Sequence, residues 1–112
     1  MRLNKLHTDV AATVLNRSVC NVMVGACLAD KDGIYAVGWN SSGPTGFGLH
    51  AEIHCLLRSN RKRLAKSTLY VAAIRKKSGS VVTAKPCDIC QRMVRKVGKI
   101  AYRNKRGEWL TL

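Results

Sequence analysis

Leu3, Leu6, Val10 and Val14 recur at helical spacing, with Ala11 and Leu15 widening the stripe, and predict an amphipathic helix over residues 3–17. Val22 to Ala29 is a different pattern, an apolar run with little alternation, as expected of a strand covered on both faces. Asp30-Lys31-Asp32-Gly33 is a turn signal, so Ile34 to Trp39 should fold back on that strand as a hairpin. Asn40 to Leu49 carries loop chemistry, with Gly43, Pro44, Gly46 and Gly48 among Ser41, Ser42 and Thr45. His50 then opens a helix whose core side is supplied by Ile53, Leu56 and Leu57. Thr68 to Ile74 reads as a third strand, and residues 76–85 as a basic connection containing serine and glycine. Pro86 suits the start of a further helix, Cys87 to Val97, which Gly98 ends.

Ile100 to Tyr102 and Trp109 to Leu112 are short strands around Asn104-Lys105-Arg106-Gly107. A crossover helix needs about a dozen residues, so these last two strands should be antiparallel. The expected fold is α/β, a three-layer α-β-α sandwich on a mixed five-stranded sheet, with residues 1–112 forming one domain.

Composition narrows the class. Hydrophobic residues make up 46% of the chain and charged ones 23%, which argues against wholesale disorder. No apolar run is long enough to span a bilayer, and Met1 to Leu15 includes Asp9, unlike a signal peptide. The expectation is a cytoplasmic protein with no membrane partner. Five cysteines, an odd number, argue against a disulfide framework; Cys20, Cys27 and Cys55 sit among apolar residues as small core hydrophobes.

Charge divides the chain in two. Residues 1–57 hold four basic and four acidic residues, whereas residues 58–112 hold sixteen basic ones against Asp88 and Glu108, and so carry the whole net charge of +14. That asymmetry favours phosphate-bearing partners, although a merely solvated basic surface has the same composition.

Two short segments carry the chemistry: His50-Ala51-Glu52 and Pro86-Cys87-Asp88-Ile89-Cys90. Both fall where loop or strand hands over to helix, so backbone dipoles at two helix N-termini can point at one spot. His50, Cys87 and Cys90 would offer an imidazole nitrogen and two thiolates, a Cys₂His set that leaves the fourth position of a zinc ion for water. The metal brings the pKa of such a water to about 7. Glu52, two residues beyond His50, would stand beside that water and shuttle protons. Other readings of the same residues are a redox pair and a structural Cys₂His₂ site completed by His54, which lies i, i+4 from His50. The structural site leaves Glu52 and Pro86 unexplained. His7 reads as a helix-surface residue.

The chain here resembles the cytidine deaminase-like superfamily, of the CMP/dCMP type. The resemblance rests on Val24-Gly25-Ala26, Gly38-Trp39-Asn40, His50-Ala51-Glu52, Thr68-Leu69-Tyr70-Val71 and Lys85-Pro86-Cys87-Asp88-Ile89-Cys90-Gln91, in the family's order from about residue 20 onwards. His-x-Glu with Pro-Cys-x-x-Cys is the zinc deaminase signature. The resemblance implies one zinc per chain and hydrolytic removal of an exocyclic amine, cytosine to uracil or, less readily, from adenine. It also implies that Asn40 contacts the substrate sugar or its surroundings and that the Ala51 backbone helps hold the base. The expectation is a form without the long C-terminal extension of tRNA adenosine deaminases and APOBEC-type enzymes. Its antiparallel last strand pair is similar to nucleoside cytidine deaminases, while Gly38-Trp39-Asn40 and Lys85-Pro86-Cys87 are similar to the deoxycytidylate and tRNA branch.

The foremost reading of the substrate is a cytidine or deoxycytidine nucleoside or nucleotide; the alternative is cytosine in single-stranded DNA or RNA. A third reading is a catalytically silent, zinc-stabilised nucleic-acid-binding module, for which Glu52 has no use. Arg92, Arg95, Lys96 and Lys99 are expected on one stripe of the last helix, opposite Ile89, Met93 and Val97. Arg58, Lys62 and Lys66 form a second stripe if the preceding helix continues, with Arg61 beside them. Phe47, in the glycine-rich loop, is the candidate for stacking on a base. Exposed apolar surface on so small a domain would favour homo-oligomers.

Overall fold

The computed structural model of the chain describes residues 3–41 and 50–112. The first helix, α1, spans Lys5–Val14; Asn4 caps it by accepting from the backbone amides of Leu6 and His7, and a 3₁₀ turn, Leu15–Arg17, continues it. β1 (Val22–Asp30) and β2 (Gly33–Trp39) form the expected antiparallel hairpin, with a bulge between Leu28 and Ala29. Helix α2 (Ala51–Leu57), β3 (Thr68–Arg75), β4 (Val81–Val82), α3 (Asp88–Met93), β5 (Lys99–Arg103) and β6 (Trp109–Thr111) follow.

The sheet runs β2-β1-β3-β5-β6. β3 and β5 are parallel and the other pairs antiparallel, including β5 with β6, so the mixed five-stranded core of the expectation is present. The basic connection over 76–85 is more ordered than its sequence indicates. Gly79, at φ +70°, lets the chain reverse after β3, and the β-branched Val82 and Val81 then pair with Ala73 and Ile74 as a sixth strand.

α1 covers one face of the sheet, α2 and α3 the other. Two glycines set both layers. A side chain at Gly25 would lie 2.4 Å from the Ala11 carbonyl oxygen and the Leu15 nitrogen; one at Gly38 would lie 2.4 Å from the Cys55 nitrogen. Backbone therefore packs directly on backbone on both sides of the hairpin. The larger core, with Leu28, Leu69, Val71, Cys55 and Val94, lies beneath α2 and α3; a smaller one joins Ala11, Cys27, Tyr70 and Ala101 beneath α1. Cys27 and Cys55 are fully buried as expected, while Cys20 is only partly covered.

Both later helices are shorter than their patterns predict. α2 buries Ala51, Glu52 and Cys55, whereas Leu57, expected on the core side, is 67% exposed. It ends because the Ser59 hydroxyl donates to the Leu56 carbonyl and Asn60 caps a new 3₁₀ segment, Arg61–Lys66. The stripe of Arg58, Lys62 and Lys66 on one continuous helix is thus not formed. α3 stops at Met93, because the chain must turn to bury both Val94 and Val97 before entering β5. Arg95 and Lys96 consequently sit in a turn and Lys99 in a strand, so the expected basic stripe with Arg92 is not formed either. Among the described residues no helix is long and apolar enough to cross a membrane.

Candidate metal centre and its pocket

The C-terminal ends of β2, β3 and β5 lie at the same end of the sheet as the start of β1. His50 is the N-cap of α2, with extended backbone, and its side chain makes no capping bond, which leaves the imidazole for other partners. Cys87 is the N-cap of α3, its sulfur accepting from the Cys90 amide at 3.5 Å. The close seat of α2 on Gly38 brings these two helix starts together. His50 Nδ1 lies 2.9 Å from Cys90 Sγ and 4.0 Å from Cys87 Sγ, and the three donor atoms are all within 4.8 Å of one another.

Zinc bonds of about 2.0–2.1 Å to nitrogen and 2.3 Å to sulfur put tetrahedral donors roughly 3.5–3.8 Å apart, a range that the separations of 2.9 and 4.0 Å bracket. The donor set therefore fits zinc in both chemistry and spacing. His54 stands apart from it: its Nδ1 lies 3.1 Å from both the amide nitrogen and the carbonyl oxygen of Trp39, and its ring meets the indole edge-on. That placement leaves no Cys₂His₂ cluster among the described residues. His7 is partly buried against Tyr70 rather than lying freely on the surface.

Glu52 is 6% exposed, beside the donors in the first turn of α2. Burial pushes its carboxyl pKa up, while its own backbone amide, the His50 ring and a hydrogen bond with the Cys90 side chain pull part of the way back. Burial likewise pushes the Cys90 thiol up, reinforced by Glu52 and Cys87. A coordinated cation reverses that ordering, since a thiol that ligates a metal is deprotonated outright.

These groups open on a pocket of about 250 Å³, lined by Val22, Val24, Asn40, Ala51, Ala73 and Lys85, among others. Asn40, expected to contact the substrate near its sugar, is on the wall, and its amide is already in use. The oxygen accepts from Val24 N–H at 2.9 Å and the nitrogen donates to the Val22 carbonyl at 2.8 Å. One lone pair and one N–H of the amide remain. Ala51 is fully buried at the first position of α2, where a helix leaves its amide without an intrahelical partner. Phe47 lies outside the described residues.

None of the nominated cations lines this pocket. Arg61 and Lys96 border a separate, mainly apolar groove with Ile53, Leu56, Leu57 and Leu64, and Lys62 lies on the 3₁₀ segment. Arg58 packs its guanidinium over Trp39 at 5.5 Å. The cation at the pocket is Lys85, with Thr83 two residues before it. Sequence reasoning quoted Lys85 as part of the Pro-Cys motif and missed this placement; its position immediately before Pro86 was the available signal.

The profile of the cytidine and deoxycytidylate deaminase zinc-binding region matches residues 1–103. A search of curated protein sequences found no match. Among solved structures, the cytidine deaminase from Burkholderia pseudomallei superposes with a TM-score of 0.74 at 17% identity, covering 99% of this chain and 92% of that one. The cytidine deaminase from Mycobacterium leprae gives 0.64 at 21% identity, covering 98% and 94%. The dCMP deaminase from cyanophage S-TIM5, in complex with dCMP and dUMP, gives 0.59 at 23% identity, covering 87% and 79%. Structural likeness at such identities shows the fold. The family rests on the profile, which spans nearly all of the sequence and contains both halves of the donor cluster: the chain belongs to the cytidine and deoxycytidylate deaminase family.

Proposed function

We propose that the chain hydrolyses the C4–amine bond of cytosine in a cytidine- or deoxycytidine-type unit, releasing ammonia and leaving uracil. The observation that carries this reading is the buried Glu52 carboxyl beside three convergent metal donors at a pocket. His50, Cys87 and Cys90 would hold one zinc ion, which when bound supplies a water activated as nucleophile near neutral pH. Glu52 takes one proton from the attacking water and passes it to the ring nitrogen N3, then takes the second from the new C4 hydroxyl and passes it to the departing amine as the C4–N bond breaks. Its raised pKa suits that traffic, because a carboxyl that both accepts and returns protons works best near the operating pH. Ala51 offers a backbone amide to the base, and the remaining lone pair and N–H of Asn40 face the sugar. A silent zinc module has no use for a buried acid in this position.

Purified protein should carry about one zinc per chain and release ammonia from cytidine or dCMP. Glu52→Gln should keep the zinc and lose turnover by about 10²–10⁴-fold, the range of general acid–base catalysis. Full activity in that variant would remove Glu52 from the mechanism, and metal-free protein with full activity would remove the zinc.

A further inference from the structure

Cations flank the pocket on both sides. On the β5–β6 side, Thr83 belongs both to the pocket and to an adjoining groove of about 460 Å³ lined by Tyr102, Asn104, Lys105 and Arg106. Lys85 lines the pocket two residues beyond Thr83. On the β2 side, Trp39 immediately precedes Asn40 of the pocket wall, and its indole is packed by Arg17 at 5.2 Å and Arg58 at 5.5 Å. The ion pairs Lys5–Asp9 and Asp30–Arg63 involve none of these five cations. The exposed acids nearby are Asp88, at the start of α3, and Glu108, which the Asn104 amide engages at 3.4 Å.

The sheet order separates the two flanks. From β2 to β5 there are three inter-strand steps, about 15 Å at ~4.8 Å each, and the pocket, walled by β1 and β3, lies between. A free nucleotide carries its phosphate on one side of its base and can use one flank. A strand threaded past the pocket has phosphates on both sides of the target base and can use both. We infer that this pocket takes its cytosine from a single polynucleotide strand lying along the end of the sheet, held by Lys85, Lys105 and Arg106 on one side and Arg17 and Arg58 on the other. Electrostatic contact along a groove is how single strands are held without sequence preference. The inference rests on the deamination reading for the identity of the base and on the placement of charge for everything else.

The test uses the zinc-loaded full chain with cytidine, dCMP and a labelled ten-nucleotide strand containing one cytosine. Strand affinity should fall steeply with salt, by about 0.7 in log–log slope for each phosphate neutralised. Lys105→Ala/Arg106→Ala should lower the slope by about 1.4 and Arg17→Ala by about 0.7. Each should cut strand turnover at least tenfold at moderate salt while cytidine turnover stays unchanged. Turnover confined to cytidine or dCMP, with both variants like the parent, would overturn the inference and leave the deamination reading standing. Loss of dCMP turnover in the Lys105/Arg106 variant alone would assign the groove to a mononucleotide phosphate, again overturning it. Should no substrate turn over, the deamination reading falls and binding decides: an unchanged salt slope in both variants overturns the strand.

Discussion

The two ends of the sheet are built on opposite rules. At the end away from the pocket, polar groups satisfy one another. The Arg63 guanidinium donates to both Asp30 carboxylate oxygens at 2.6 and 2.7 Å and lies 4.0 Å over the Tyr35 ring. Ser67 spends its one proton on the Arg63 carbonyl, so the Tyr35 hydroxyl, 2.6 Å from Ser67 Oγ, is the donor in that pair. At the pocket end, two sulfurs, an imidazole and a buried carboxyl are gathered into one cluster that opens on the pocket. One end spends its polar chemistry on holding the hairpin to the chain that follows it; the other keeps it for what arrives from outside. The same strands connect the two, so function is placed where structure has least need of it.

Substitutions at either end sharpen the contrast. The largest effect belongs to the donors. Cys90→Ser should abolish zinc retention and with it the zinc-linked stability, about 4 kcal/mol with the metal at a thousand times its Kd. Metal analysis and thermal melts with and without chelator read this directly; a variant with wild-type zinc content and chelator response would break the assignment. Gly38→Ala acts between the ends. Its new methyl would meet the Cys55 nitrogen at 2.4 Å and displace α2, costing about 1–3 kcal/mol as overpacking does. Because α2 carries Glu52 and is capped by His50, turnover should fall further than the urea midpoint indicates, and unchanged turnover would separate the helix seat from the site.

The smallest effect is Asp30→Asn, at the self-satisfied end. The bonds from Arg63 hold the Asp30 carboxyl down at about 2, below its ordinary 3.8. A depressed folded-state pKa means that the stabilisation is fully present above the ordinary value and is lost as pH falls through about 2. Urea midpoints of parent and variant should differ at pH 6 and converge towards pH 2, with neutral-pH turnover the same in both. A gap independent of pH would show that the ion pair contributes nothing through ionisation.

What could be read from the sequence was local. The unbroken apolar run of β1, the Asp-Gly turn and the metal donors all announce themselves within a few residues. β4 did not, since two valines are too few to show alternation. The basic stripes failed because helical spacing was carried past Ser59 and Asn60, whose side chains favour leaving a helix, and past Met93, where burial of Val94 and Val97 takes over. Lys105 and Arg106 were hidden for a deeper reason. Their nearness to the pocket depends on β4 and β5 both pairing with β3, a long-range fact that no window of sequence contains.

Asn40 carries one further consequence. Its side-chain amide bonds to the Val22 carbonyl and the Val24 amide of β1, while its own amide nitrogen donates to the Val24 carbonyl, so the hairpin is locked just beyond the end of β2. That makes Asn40 a fastening of the sheet and a wall of the pocket at once. A replacement that kept its polarity but not its reach would therefore loosen the strand pairing under the pocket, and a defect in substrate handling would arrive together with a defect in the frame.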